Sequence, residues 1–222
     1  MRRRARILSR SARHRSGLRP RSAPWALLSY VLRYPTAEVA AARPELVAEV
    51  AALPGGPVRE ALERFLAGWT GDETALAARY VETFDLRRRA SLELTYYAHG
   101  DTRERGMALL RLKKLYRAAG LPMECPELPD HLTVMLAFAA LAEPGMGEAL
   151  LSQHRPAVEL LRLSLHDSES PYAHVLDALA ELLPPLSVSD RTEVARLARE
   201  GPPEEAVGLE PYGPPETTGA YV

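Results

Sequence analysis

From Trp25 onward, apolar residues return every three or four positions and hardly ever alternate, the spacing that lays one oily stripe along a helix. Trp25, Leu28 and Leu32 form the first stripe. Pro24 suits a first helical turn after Ser22, and Pro35 forces an end. Thr36 opens a second helix with Leu46, Val47 and Val50, stopped by Leu53-Pro54-Gly55-Gly56. Pro57 begins a third, with Val58, Leu62, Phe65, Leu66 and Trp69 on one face and a close at Gly71. Asp72 is placed to cap a fourth, which carries Leu76, Tyr80, Val81 and Phe84.

Residues 91–99 read as a short helix ended by Gly100, a residue type suited to a left-handed terminus. Asp101 and Glu104 have the spacing of a capping box, which opens a long helix through Ala119, before Gly120. Residues 121–129 hold three prolines and predict an extended loop. Asp130 is then placed to cap an apolar helix over 132–142, the most buried of the set. Further helices fit 155–166 and 171–183, and Pro184-Pro185 ends the packed part. Strands find no support, because alternation is absent and β-branched residues are few. The pattern predicts an all-α fold, one compact domain of about eight helices over 22–185. A basic disordered arm, 1–21, precedes it; a weak helix over 190–200 and a disordered tail make up 186–222.

A chain of 222 residues suits one such domain. The single cysteine, Cys125, excludes an internal disulfide, a thiolate zinc cluster and an iron–sulfur site. The longest uncharged apolar run, 132–142, falls short of the ~20 residues a membrane helix needs. The net charge of −1 hides an asymmetry. Residues 1–24 contain nine arginines and no acid, which leaves a body of about −10 from nineteen basic and twenty-nine acidic residues. An acidic body attracts a cationic peptide. The arm lacks the 7–15-residue apolar stretch of an export signal and has no aromatic before Trp25 for nucleic-acid stacking. With 26 arginines against two lysines in the chain, a general arginine bias accounts for it. The arm reads as a disordered extension, or as residues upstream of the true start.

Catalytic chemistry is scarce. There is no glycine-rich phosphate loop, and the six histidines include no H-x-x-x-H pair. Cys125 and His131 stand six residues apart across two prolines, a spacing that does not set a nucleophilic dyad. Asp130 and His131 are adjacent at a helix start, where side chains diverge. The expectation is a protein that is no enzyme and holds no cofactor or metal.

Two places break the rules for a merely stable bundle. In residues 91–106, Arg103 and Arg105 fall in the first turn of the long helix, opposing its dipole by roughly 0.3–1 kcal/mol each. Gly106 costs that helix about 1 kcal/mol more relative to Ala. Either these residues serve a binding surface, or the arginines are solvated or pair with Glu93 and Asp101 and the glycine permits tight packing. The second place is Glu127-Leu-Pro-Asp-His-Leu132, a sharp turn into the most apolar helix.

At these segments the chain resembles the NarJ-type chaperones, the delta subunit of respiratory nitrate reductase, within the wider TorD-like family of molybdoenzyme assembly chaperones. The likeness rests on Leu28-Ser-Tyr-Val-Leu-Arg-Tyr-Pro35, on Tyr80-Val-Glu-Thr-Phe-Asp85 running into Arg88, on Ser91 to Leu109 around His99-Gly-Asp-Thr-Arg-Glu-Arg-Gly106, and on Glu127-Leu-Pro-Asp-His-Leu132. Asp167-Ser-Glu-Ser-Pro-Tyr-Ala173 adds a weaker fifth. Where the family carries Leu-Glu-[Phe/Tyr] after Pro-Asp-His, this chain reads Leu136-Ala137-Phe138 and lacks the carboxylate.

The resemblance implies a non-catalytic, all-helical cytoplasmic chaperone. It would bind the N-terminal peptide of the nitrate reductase alpha subunit and hold that subunit open for molybdenum cofactor insertion before membrane attachment. Neither nucleic-acid binding nor membrane insertion belongs to this expectation; transient contact with molybdenum cofactor delivery proteins does. Motif position nominates Tyr80, Phe84, Tyr96 and Tyr97 to line a groove, with core packing as the alternative for these aromatics. Asp101, Arg103, Arg105, Asp130 and His131 would be polar anchors or groove-shaping caps. Beside Asp130, the imidazole of His131 would make peptide binding depend on pH. Two other readings stand beside this one: a client that is a different molybdoenzyme, and a helical protein that holds nucleic acid through its arm.

Overall fold

Proline positions cut the chain into short helices, and apolar stripes decide how those helices stack. The computed structural model describes residues 22–203, so the expectations for the arm and for 204–222 lie outside the described residues. These form twelve α-helices: α1 Ala23–Val31, α2 Ala37–Ala41, α3 Arg43–Ala51, α4 Pro57–Gly68, α5 Glu73–Tyr80, α6 Leu94–His99, α7 Arg103–Ala118, α8 Leu132–Leu141, α9 Met146–Gln153, α10 Arg155–Asp167, α11 Ala173–Leu182 and α12 Val188–Glu200. No strand occurs among the described residues, only one isolated antiparallel bridge between Glu93 and His131.

The all-α expectation holds, with more helices than eight. The stripe from Thr36 to Val50 is two helices, because Pro44 occupies the first turn of α3 and the chain bends at Ala42. Helix α9 is additional, and Gly145 at φ +89 allows the turn that starts it. The expected weak helix is α12, opened by a full capping box between Ser187 and Asp190. Asp72 caps α5 as predicted, its Oδ1 accepting from Ala75 N at 2.8 Å. The next turn, Val81–Asp85, widens to π geometry, with Leu86 N donating to Val81 O at 3.1 Å.

Helix α8 is buried on nearly every side, which explains its lack of a polar face. It packs between α1 and α9, while α11 joins α4 to α10 and α12 lies on α10. Ser29 of α1 is buried and donates to the Thr133 carbonyl at 2.8 Å, fixing α1 on α8. Gly147 lets α9 approach α8 closely, for a Cβ there would fall 2.2 Å from the Cα of Ala139. Elsewhere the core is aromatic. Phe65, Trp69, Tyr80, Phe84 and Tyr172 form a chain of ring contacts with centroids 4.8 to 6.0 Å apart. Trp69 Nε1 donates to Tyr172 Oη at 3.3 Å and Tyr80 Oη to the Leu32 carbonyl at 3.2 Å, so the polar tips are satisfied.

Candidate partner-binding site

The two rule-breaking segments of the sequence meet in space. Chain 91–93 runs beside chain 130–132: Leu94 N donates to the Asp130 carbonyl at 3.1 Å, and Leu132 N donates to the Leu92 carbonyl at 2.8 Å. Asp130 is fully buried and, contrary to the expectation from the sequence, does not cap α8; its carboxylate turns the other way. Oδ2 accepts from Thr95 N at 3.2 Å and from the Thr95 hydroxyl, capping α6 from a loop distant in the chain. The N-cap of α8 is His131, with no side-chain cap bond. The predicted capping box at Asp101 and Glu104 is also absent. Thr102 is the N-cap of α7, and its hydroxyl donates to the His99 carbonyl at 2.8 Å.

Arg105 binds the junction together. Its guanidinium pairs with Glu93, with Asp101 Oδ1 at 3.0 Å and with Asp130 Oδ2 at 3.7 Å. It also lies over the Tyr96 ring, 5.6 Å from the centroid. Burial alone would lower the guanidinium pKa, but Glu93, Asp130 and Asp101 together hold it above its ordinary value. Arg105 therefore pairs with Glu93 and Asp101, the packing alternative raised by its position in the sequence. Arg103, on the opposite side of α7, is exposed. Within this junction Arg105 Nε and Asp130 Oδ1 are buried without hydrogen-bond partners. Below it, Tyr116 Oη donates to the Pro129 carbonyl at 2.7 Å and fixes the turn before Asp130.

The nominated aromatics separate into two groups. Tyr80 and Phe84 belong to the aromatic core with Tyr172, each 7% exposed. Tyr96 and Tyr97 sit on α6, and both reach a cleft of about 610 Å³ between α6, α10 and the end of α12. Tyr97 Oη donates to the carbonyls of Arg89 and Ser91, which fixes the ring in that wall. Leu160 and Leu163 of α10 supply the facing apolar wall; Asp101, Asp167 and Glu200 add carboxylates and Arg89 one cation. Residues 201–203 close one side, the Pro203 carbonyl lying where a Cβ on Gly100 would come within 1.8 Å. Sequence reasoning missed Leu160, Leu163 and the 201–203 wall, since a leucine stripe on α10 carries no mark of which leucine is left uncovered.

Among the described residues His131 is hydrogen-bonded to neither Asp130 nor Cys125, so neither of the two pairs weighed from the sequence forms. His131 Nδ1 lies 2.7 Å from Thr133 Oγ1, while the Asp130 carboxylate faces Thr95 and Arg105. Burial pushes the His131 pKa down, against the opposing pull of Glu127, Glu93 and Asp130. Burial and Glu127 push the Cys125 thiol up to about 11, the reverse of nucleophile activation. No group of three or more metal-ligating side chains occurs among the described residues, nor is any described helix long and apolar enough to cross a membrane.

The described residues thus form an all-helical body in which Asp130 and Arg105 hold a short tyrosine helix beside an open cleft. A sequence model described as nitrate reductase delta subunit matches residues 54–178. The chain belongs to that family. It is 34% identical to NarJ of Bacillus subtilis over 177 residues, 79% of this chain and 96% of that protein. It is also 34% identical over 185 residues to the nitrate reductase molybdenum cofactor assembly chaperone NarJ of Escherichia coli, 80% of this chain and 78% of that one. The nitrate reductase-like protein NarX of Mycobacterium tuberculosis is 38% identical over 156 residues, 70% of this chain, but the match spans only 23% of that longer protein.

Proposed function

We propose that the chain is a cytoplasmic chaperone that binds the N-terminal region of a nitrate reductase alpha subunit and keeps it open for molybdenum cofactor insertion before the enzyme reaches the membrane. Family membership supports the client class. The observation that carries the reading is the Asp130–Arg105–Glu93 junction, which fixes α6 so that Tyr96, Tyr97 and Asp101 front a cleft with an apolar far wall. Such a wall accepts the apolar face of an amphipathic helix, and Asp101, Asp167 and Glu200 receive its cations. In this reading Tyr80 and Phe84 support the site from the core. Asp130, Arg105 and His131 hold its shape, and no covalent step takes place.

Calorimetric titration of the alpha-subunit N-terminal peptide tests it. Leu163 is 39% exposed, so Leu163→Glu leaves the core intact. This change and Asp101→Lys are each expected to weaken binding roughly tenfold, about 1.4 kcal/mol. Unchanged affinity in both variants rejects the cleft. Deletion of the gene is expected to leave a nitrate reductase poor in molybdenum; a fully loaded enzyme rejects the chaperone role.

A further inference from the structure

Helix α7 is charged oppositely to the body that carries it. It holds Arg103, Arg105, Arg111, Lys113, Lys114 and Arg117 against one acid, Glu104. Arg105 turns inward, as described above. The other five cations are exposed, and among the described residues none of them enters an ion pair. At about 100° per residue, Arg103, Gly106, Met107, Leu110 and Lys114 share the outer face. Met107 is 54% exposed and Leu110 51%. Between them and Arg103 stands Gly106, where a Cβ would meet nothing within 4 Å. No neighbour in the described fold therefore calls for a glycine, although it costs the helix about 1 kcal/mol. Bare backbone beside two exposed apolar side chains, ringed by cations, fits an acidic and partly apolar segment lying close against the helix.

This chain contains such a segment. Residues 204–222 hold Glu204, Glu205, Glu210 and Glu216 and no basic residue, with Val207 and Leu209 between the acids. The segment leaves the described fold at Pro203, which presses on Gly100, three residues before α7 begins. The rise from Arg103 to Leu110 is about 10 Å, while extended chain covers roughly 3.3 Å per residue, so 205–210 are long enough to reach the outer face. We propose that residues 204–222 dock on the outer face of α7, with Val207 and Leu209 against Gly106, Met107 and Leu110 and the glutamates on the surrounding cations. The docked segment keeps a cationic, apolar face from anionic surfaces.

The full chain with a benzophenone amino acid at exposed position 107 provides the test. Irradiation is expected to cross-link it to a peptide from 204–222 of the same molecule. The combined change Glu204→Gln, Glu205→Gln and Glu210→Gln is expected to reduce that yield several-fold, as high salt does. Cross-links only to a second copy, or none to 204–222, overturn the proposal. As a second measurement, vesicles of three parts phosphatidylcholine to one part phosphatidylserine are expected to bind a chain ending at Pro203 roughly tenfold more tightly than the full chain. Equal binding of the two chains also overturns it.

Discussion

The Asp130 carboxylate accepts the backbone N–H of Thr95 at 3.2 Å, across 35 residues of sequence. A six-residue helix is too short to be stable alone, and α6 has no capping side chain of its own. Its N-terminus is closed by a group that belongs to the approach to α8. The two motifs of the sequence thus form one device, in which the buried acid holds the helix and Arg105 neutralises the acid.

Removing the acid is expected to be severe. Asp130→Ala leaves the Thr95 N–H and the Arg105 guanidinium without their buried partner and should cost about 3 kcal/mol. Asp130→Asn keeps an acceptor for Thr95 but loses the charge opposite Arg105, and should cost about 1–2 kcal/mol. Urea unfolding of both variants checks the order; a loss below ~0.5 kcal/mol for the alanine variant contradicts the described role.

Arg105→Lys keeps the charge but cannot reach Glu93, Asp101 and Asp130 together, because an ammonium lacks the planar fork. Stability is expected to fall by about 1–2 kcal/mol. Peptide affinity should fall with it, since the cleft wall loses its fixed orientation. Arg103→Lys, at an exposed position, is expected to change neither quantity measurably.

Two glycines should refuse alanine for different reasons. Gly147→Ala places a Cβ 2.2 Å from the Ala139 backbone and should cost about 1–3 kcal/mol by forcing α9 off α8. Gly100→Ala collides with the Pro203 carbonyl at 1.8 Å and also sits at φ +56. The expected result there is faster hydrogen exchange at the Gly201 amide, which is bonded to the Leu197 carbonyl, with the core intact. Exchange mass spectrometry separates the two outcomes.

The pH dependence of stability follows from two half-buried imidazoles. Burial lowers the pKa of both His131 and His154 in the fold. In the unfolded chain both titrate near 6.5. Below that value the unfolded state binds more protons, so stability is full above about pH 6.5 and declines as pH falls towards the depressed native values. His131→Gln is expected to flatten this decline, read as the midpoint of urea unfolding between pH 7 and pH 5. Peptide binding titrated over the same range should lose its pH dependence in that variant; identical profiles for variant and wild type dismiss His131 as the sensing group.

The helices were legible because they depend on local spacing. Prolines, Asp72 and the glycine stops lie within one turn of what they control. Two of the caps were not, since a carboxylate beside a helix start reads as its cap whether it turns towards that helix or towards another. Asp130 and Asp101 both turn elsewhere, because Thr95 and Arg105 offer buried or charged partners that spacing cannot reveal. The same limit applied to the aromatics. Tyr80 and Tyr96 stand on similar stripes, and only the packing of Tyr172 against Tyr80 and the opening beside α10 distinguish them.

The start of the tyrosine helix is closed by a residue made later, Asp130, and the Pro203 carbonyl comes to lie against Gly100 at its end. A ribosome-bound fragment that has not yet released residue 130 lacks the carboxylate that closes the N-terminus of helix 94–99. On the proposed reading, the tyrosine wall that would meet a client is complete only once residues 130–132 have come to lie beside 92–94.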